Sequence, residues 1–246
     1  MVKKLVSIAL LAGILGGVGV TLFQMVYVVP LILEAETFEV VEEAAGAPSV
    51  ALPGHNDHDH DHDAEAWAPE DGIERTLTTL GANILTSIGY ALLLVGAMQL
   101  RGGNITARNG LIWGAAGFVS FSLAPFFGMP PELPGMAAAD LASRQIWWAV
   151  TVVATAGGLA LVTSNSPRLD SPLKIVLGLL LLVAPHTVGA PHLESTANLA
   201  SDVPAHLSAE FSMAALVHGL ILWLAIGLTA GWLYNRFADH NGETAS

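Results

Sequence analysis

The residues with the most evident chemistry form a tract of alternating histidine and aspartate. Its members are His55, Asp57, His58, Asp59, His60, Asp61, His62 and Asp63. Imidazole is a good ligand for zinc, nickel, copper and cobalt, and carboxylates add charge and suit harder ions. In an extended chain, the alternation places the histidines on one side and the aspartates on the other. The tract predicts a divalent-metal capture site that weakens below about pH 6, as imidazole becomes protonated.

The tract lies in a strongly acidic segment, residues 34–74, which holds 13 Asp and Glu, four His and no Lys or Arg. A purely solvating acidic segment would not need four histidines. Its composition cannot bury a core, so we expect most of it to be disordered without a ligand. Glu34 and Glu36 follow the first apolar segment directly. Acids at a helix C-terminus oppose the macrodipole, which favours a cation-binding role for them.

Other candidate ligands lie in or beside the apolar segments. Asn83 belongs to a polar stripe at helical spacing, and His218 lies about 12 Å inside the last apolar segment by helical rise. His186 and His192 occupy a Pro-His and Gly stretch where a helix breaks, and His206 and Glu210 are spaced i, i+4. The predicted transport path or vestibule consists of Glu36, Asn83, Glu132, His186, His192, His206, Glu210 and His218.

Each of these candidates also has a structural interpretation. Asn83 and its neighbours could form hydrogen bonds between helices. His218 could be a neutral histidine bonded to a carbonyl. The Pro-His stretch could be a simple interfacial loop.

The composition indicates where these residues are placed. Of 246 residues, 53% are hydrophobic and 12% charged, about half the charged fraction of a soluble domain. A net charge of −12 argues against nucleic-acid binding. The absence of cysteine excludes disulfides, thiolate metal sites and thiol catalysis. There is no phosphate-cradling loop for ATP. These features predict a membrane protein and exclude a soluble enzyme. We expect the chain not to be an enzyme and to have no prosthetic group.

Six segments are long and apolar enough to span a bilayer, which predicts an all-α, six-helix transmembrane bundle. We divide the chain into a first helix (1–33), an acidic external loop (34–74) and a five-helix remainder (75–246). The predicted helices of that remainder are 77–100, 110–127, 146–162, 175–189 and 211–233. Gly13 and Gly17 form a GxxxG pair, which predicts close helix packing.

Orientation follows from the basic residues. With both termini in the cytoplasm, seven Lys and Arg lie inside and two, Arg75 and Arg144, lie outside, as the positive-inside rule requires. We therefore expect a multi-pass membrane protein with both termini in the cytoplasm. Similar Pro-containing ends on the odd helices suggest a faint repeat of three tandem two-helix units.

The combination of motifs resembles the CbtA family of predicted cobalt transporter subunits over nearly the whole chain. The residues that carry the resemblance are Gln24, Pro30-Leu31-Ile32, Ala35-Glu36, the His/Asp tract, residues 67–76, Ala82-Asn83, residues 130–135, residues 144–148, Ala184-Pro185-His186 and Gly189-Ala190-Pro191. The resemblance implies an inner-membrane subunit for cobalt uptake connected with cobalamin synthesis. It also implies a small partner, CbtB, with one membrane helix and its own histidine motif.

These observations favour a permease subunit for a divalent metal, which the resemblance narrows to cobalt. Nickel and zinc stay open as transported ions. A membrane metalloenzyme is an alternative, although no H-E-x-x-H motif is present. A metal sensor or storage subunit assisting another transporter is a further alternative. Lipid and the metal ion are expected partners, and a homo-oligomer with a pore between protomers remains open.

Overall fold

The computed structural model describes residues 2–46, 69, 72–102, 105–164, 170–192 and 203–243. The His/Asp tract from His55 to Asp63 lies outside these residues. The described regular structure is entirely helical. In chain order it consists of α1 (Val2–Tyr27), α2 (Val29–Gly46), α3 (Ile73–Arg101), α4 (Ala107–Phe118), a π-helical turn (Val119–Leu123), α5 (Ala124–Phe126), α6 (Leu141–Val162), α7 (Ser171–Val188) and α8 (Ala205–Glu243).

Four helices are long and apolar enough to cross a membrane: Val2–Tyr27, Ile73–Arg101, Leu141–Val162 and Ala205–Phe237. A shorter apolar helix covers Pro172–Val188. Helices satisfy their backbone hydrogen bonds internally, and lipid offers no other partner for those groups. The described elements therefore agree with the predicted all-helical membrane protein.

The third predicted segment is a continuous helical rod over residues 107–126, widened by the π-helical turn near its C-terminal end. At the end of that turn, the backbone N–H of Ala124 donates to the carbonyl of Val119, five residues earlier. Pro125 follows directly. Its ring has no N–H and would crowd the carbonyl of Phe121, so a wider turn just before it relieves that contact.

The first helical stretch does not end at Leu33. The chain turns at Val28, where the N–H of Val28 still donates to the carbonyl of Gln24 at 2.9 Å, and α2 then continues to Gly46. Residues 34–46 are thus helical, although the whole segment 34–74 was expected to be a loop. Glu34 and Glu36 lie inside α2 and not at a helix C-terminus, so the macrodipole argument for them was wrong.

Glycines set the closest helix crossings, and the predicted packing role of Gly13 and Gly17 is confirmed. A Cβ on Gly17 would lie 2.7 Å from the Cα of Ile84, and one on Gly13 would lie 2.5 Å from the Cα of Ile88. These two contacts bring α1 and α3 together as an antiparallel pair. Backbones can approach this closely only where no side chain intervenes.

The other two close crossings do not follow the predicted tandem units. On α4, a Cβ on Gly110 would lie 2.1 Å from the carbonyl oxygen of Gly227 on α8. On α6, a Cβ on Gly158 would lie 2.7 Å from the carbonyl oxygen of Gly178 on α7. The third segment therefore packs on the sixth and the fourth on the fifth. The positions of the glycines decide this pairing, whereas proline-rich ends say nothing about helix faces.

The start of α6 is fixed by an N-cap. One carboxylate oxygen of Asp140 accepts hydrogen bonds from the backbone N–H of Ser143 at 2.9 Å and from its hydroxyl at 2.8 Å. These bonds, the backbone one first, hold the pKa of the Asp140 carboxyl below its usual value. The cap therefore stabilises α6 at neutral pH and is lost as the pH falls through that lowered pKa.

Candidate functional site

Three polar side chains meet between α1 and α3, inside the apolar part of the bundle. The side-chain amide of Asn83 donates to Gln24 Oε1 at 2.7 Å and to Thr21 Oγ1 at 3.0 Å. The hydroxyl of Thr21 in turn donates to the carbonyl of Gly17 at 2.7 Å. We call Thr21, Gln24 and Asn83 the polar seam. The predicted hydrogen bonding of Asn83 between helices is thus present.

The polar seam also offers oxygen atoms to a cation. The amide nitrogen of Asn83 is occupied by its two acceptors, while its Oδ1 accepts no hydrogen bond from the described helices. Amide oxygens of this kind can replace water around a metal ion. A role in helix packing and a role in a transport path are therefore compatible for Asn83.

His218 lies at about the same depth as the polar seam. Helices α1 and α8 pack side by side, with Ile226 over Gly16. Gln24 is eight residues from Gly16, and His218 is eight residues from Ile226. Because the helices run in opposite directions, both are about 12 Å from that contact toward the same end of the bundle.

The imidazole of His218 is only partly exposed. Its Nε2 is buried and has no hydrogen-bond partner in the described part of the chain. The alternative of a histidine whose Nε2 is satisfied by a carbonyl therefore finds no support. A neutral ring nitrogen in this state is suited to binding a metal ion.

Two of the predicted vestibule acids, Glu36 in α2 and Glu132 between α5 and α6, are each paired with an arginine. Glu36 Oε2 accepts a hydrogen bond from Arg75 Nη1 at 3.2 Å, and Glu132 Oε2 lies 2.9 Å from Arg144 Nη2. All four side chains are about a quarter to a third exposed. A cation would have to compete with a guanidinium at either site. The sequence indicated both arginines as markers of orientation and not as partners of these acids.

The remaining four candidates are exposed and do not come together: His186, His192, His206 and Glu210. The ring of His186 contacts Trp147 edge to face, with centroids 5.9 Å apart. Trp147 also donates from Nε1 to the carbonyl of Pro185 at 3.3 Å. These two contacts fix the break at the end of α7 against the start of α6.

Within the residues that the structure describes, no group of three or more His, Asp or Glu could hold a metal ion. His206 and Glu210 do share the first turns of α8, as their spacing predicts. The structure thus gathers Asn83 with two polar neighbours and pairs Glu36 and Glu132 with arginines. It leaves the other predicted ligands apart.

Two hydroxyls on the apolar helices α3 and α6 are buried, those of Ser87 and Thr155, and neither finds a partner in the described residues. Thr151 instead donates to the carbonyl of Trp147 in its own helix, at 2.8 Å. Tyr90 packs among aromatic rings, 4.8 Å from Trp223 and 5.4 Å from Phe121 between centroids. These polar side chains therefore do not form a continuous chain of hydrogen bonds between helices.

Comparison with known proteins gives one result. A family model described as "Probable cobalt transporter subunit (CbtA)" matches residues 2–235. No curated protein and no solved structure matches the chain.

Proposed function

The chain belongs to the CbtA family, described as probable cobalt transporter subunits. From this premise we propose that it is a membrane permease subunit for uptake of a divalent transition metal, with cobalt as the preferred cargo. It hydrolyses no ATP of its own. An inside-negative membrane potential favours entry of a +2 ion by about 4.6 kcal/mol per 100 mV, twice the value for one charge. That force is sufficient in principle to drive uptake.

One structural observation supports transport in particular: polar groups lie together at one depth inside an apolar bundle. The polar seam and the unpartnered Nε2 of His218 provide oxygen and nitrogen ligands there. Ionisable or strongly polar groups at such depth are costly, and they commonly mark ion pathways. We propose that the ion passes between α1, α3 and α8 at this level.

We propose that capture begins outside the membrane, at the His/Asp tract. The ion would then reach a vestibule with Glu36, Glu132, His186, His192, His206 and Glu210. At Glu36 and Glu132, the incoming charge would displace Arg75 and Arg144 from their carboxylates. This exchange would couple arrival of the ion to a change at the outer ends of α3 and α6.

The proposed topology has six spans in the inner membrane. The four long apolar helices are joined by the rod over residues 107–126 and by α7, and both termini are cytoplasmic. As a transporter subunit, the chain would act with a partner, proposed to be the small membrane protein CbtB. We propose that the connection with cobalamin synthesis lies in the supply of cobalt.

The direct test is cobalt uptake into sealed proteoliposomes that contain the purified chain, measured by mass spectrometry of metal content under an imposed inside-negative potential. We expect saturable entry of cobalt. Nickel and zinc should inhibit this entry to different degrees. Liposomes without protein and liposomes without the potential are the controls.

The same assay decides between the alternatives. Binding without entry, both alone and with CbtB added, would contradict a permease and indicate a sensor or storage subunit. Entry only after CbtB is added would support a permease that needs its partner.

A further inference from the structure

An apolar groove of about 420 Å³ opens between α3, α4 and α6. It exists because α3 and α6 do not pack along each other. Its lining is largely apolar and combines large side chains, including Trp223 from α8, with four alanines, Ala97, Ala116, Ala156 and Ala160. In a bilayer, such a space is filled by an acyl chain or by apolar side chains of another helix, since an empty groove loses dispersion contacts.

One end of the groove carries a cation. Arg101, at the last turn of α3, donates from Nη1 to the hydroxyl of Thr163 at 3.2 Å and from Nη2 to its carbonyl. These bonds connect α3 to the end of α6 and hold the guanidinium at the mouth. Arg101 forms no ion pair with a carboxylate in the described part of the chain.

A second cavity of about 260 Å³ adjoins this end. It shares Arg101, Ile112 and Trp113 with the groove, and Asn109 adds a polar side chain. Among the described residues, the lining of either cavity includes no acid. The groove is therefore apolar along its length, and the cation lies where the groove meets this more polar cavity, with an indole also lining the junction.

We propose that the groove and its mouth bind one anionic phospholipid, with the phosphate at Arg101 and an acyl chain along the apolar lining. A guanidinium binds phosphate through paired, charge-assisted hydrogen bonds. Basic pockets between membrane helices are suited to anionic headgroups, and tryptophan favours the headgroup level. A partner helix would fill the groove but would leave the charge of Arg101 without a counterion.

The site would connect α3 to the α6–α7 pair on the side where these helices do not touch. It depends only on the chain lying in a bilayer and is independent of the transported metal. Loss of lipid binding with intact cobalt uptake, or the reverse, therefore separates this proposal from the proposed function.

Native mass spectrometry of the full-length protein, delipidated in detergent and titrated with phosphatidylglycerol or phosphatidylcholine of equal chain length, tests the site. We expect one phosphatidylglycerol to bind at least tenfold more tightly than phosphatidylcholine. Arg101→Gln should remove this preference, a tenfold effect corresponding to about 1.4 kcal/mol. Ala160→Phe, which fills the groove, should reduce binding of both lipids.

Two matched variants serve as controls. Arg236→Gln removes one positive charge near the end of α8, where Arg236 lies over the ring of Trp232, and Ala115→Phe adds the same bulk to an exposed position outside the groove. Both should bind lipid as the unmodified chain does. Circular dichroism and gel filtration establish that every variant is folded.

Several outcomes would overturn the proposal. These are equal binding of both lipids, an unchanged preference in Arg101→Gln, or normal lipid binding in Ala160→Phe. Displacement of the lipid by free glycerophosphate would show a simple phosphate site. A dimer of the chain that Ala160→Phe dissociates would show that a second copy fills the groove.

Discussion

The side-chain amide of Asn83 can contribute both to helix packing and to ion binding. Its amide nitrogen joins α3 to α1 through Gln24 and Thr21, and its amide oxygen is left for a ligand. Hydrogen bonds between membrane helices contribute on average only about 0.6 kcal/mol. Loss of the bonds should therefore disturb stability little, which makes a transport effect measurable.

We predict that Asn83→Leu lowers cobalt uptake at least tenfold while the protein stays folded. Leucine keeps the branched shape and the number of side-chain heavy atoms but offers no oxygen to a dehydrated ion, and a tenfold loss corresponds to about 1.4 kcal/mol. Thr78→Val is the matched control on α3, since the Thr78 hydroxyl bonds only to carbonyls of its own helix. A normal rate of uptake by Asn83→Leu in proteoliposomes would show that Asn83 is not part of the transport path.

We predict that His218→Leu lowers the maximal rate of uptake even at saturating cobalt, since it removes a ligand inside the membrane. Replacing the four histidines of the His/Asp tract by serine should instead weaken uptake only when the metal is scarce.

Rate measurements over a range of cobalt concentrations distinguish the effect of His218→Leu from that of the loop variant. Normal uptake of scarce metal by the loop variant would contradict the capture role.

At the scale of elements, glycine placement determines which helices become neighbours. Gly13 and Gly17 bring α1 against α3, Gly110 and Gly227 bring α4 against α8, and Gly158 and Gly178 join α6 to α7. Side-chain packing and hydrogen bonds drive association in lipid, because the apolar tails are no less apolar than leucine. Close backbone approach is therefore the main source of pairing specificity here.

We predict that Gly17→Ala destabilises the protein by about 1–3 kcal/mol, as expected for overpacking. The added methyl would lie 2.7 Å from the Cα of Ile84, and backbone cannot move away cheaply. Gly19→Ala is the control on the same helix, since a Cβ there would meet nothing within 4 Å. Thermal unfolding in detergent measures both variants, and equal midpoints would argue against the α1–α3 contact.

At the scale of the whole molecule, the two ends of the bundle differ in charge. Glu36 with Arg75 and Glu132 with Arg144 lie at the proposed outer end, where α2 leads toward the His/Asp tract. Arg101 and the end of α6 lie at the opposite end. Arginines neutralise both carboxylates at the proposed outer end, whereas Arg101 forms no ion pair in the described part of the chain, which agrees with an inner face that meets anionic lipid.

We predict that a single cysteine introduced as Ala51→Cys reacts with an impermeant maleimide in intact cells, while Ala245→Cys reacts only after the cells are opened. The chain has no cysteine of its own, so every label reports one position. The reason is the proposed topology, with residues 34–74 outside and both termini inside. Labelling of Ala245→Cys in intact cells would contradict a cytoplasmic C-terminus.

The sequence alone determined the helical membrane class, the family resemblance and the role of Gly13 and Gly17. These depend on composition, on motif combinations and on spacing along one helix, all of which are local in the chain. It also singled out Asn83 and His218, because a polar side chain within an apolar segment stands out in the sequence.

Only the tertiary structure decided which helices are neighbours and which charges neutralise each other. Glu36 meets Arg75 across 39 residues, Trp147 meets Pro185 across 38, and the pairing of α4 with α8 spans more than 100. The continuation of α2 to Gly46 was likewise not apparent from an acidic composition. Such contacts depend on the relative rotation and crossing of packed helices, which no single-helix pattern encodes.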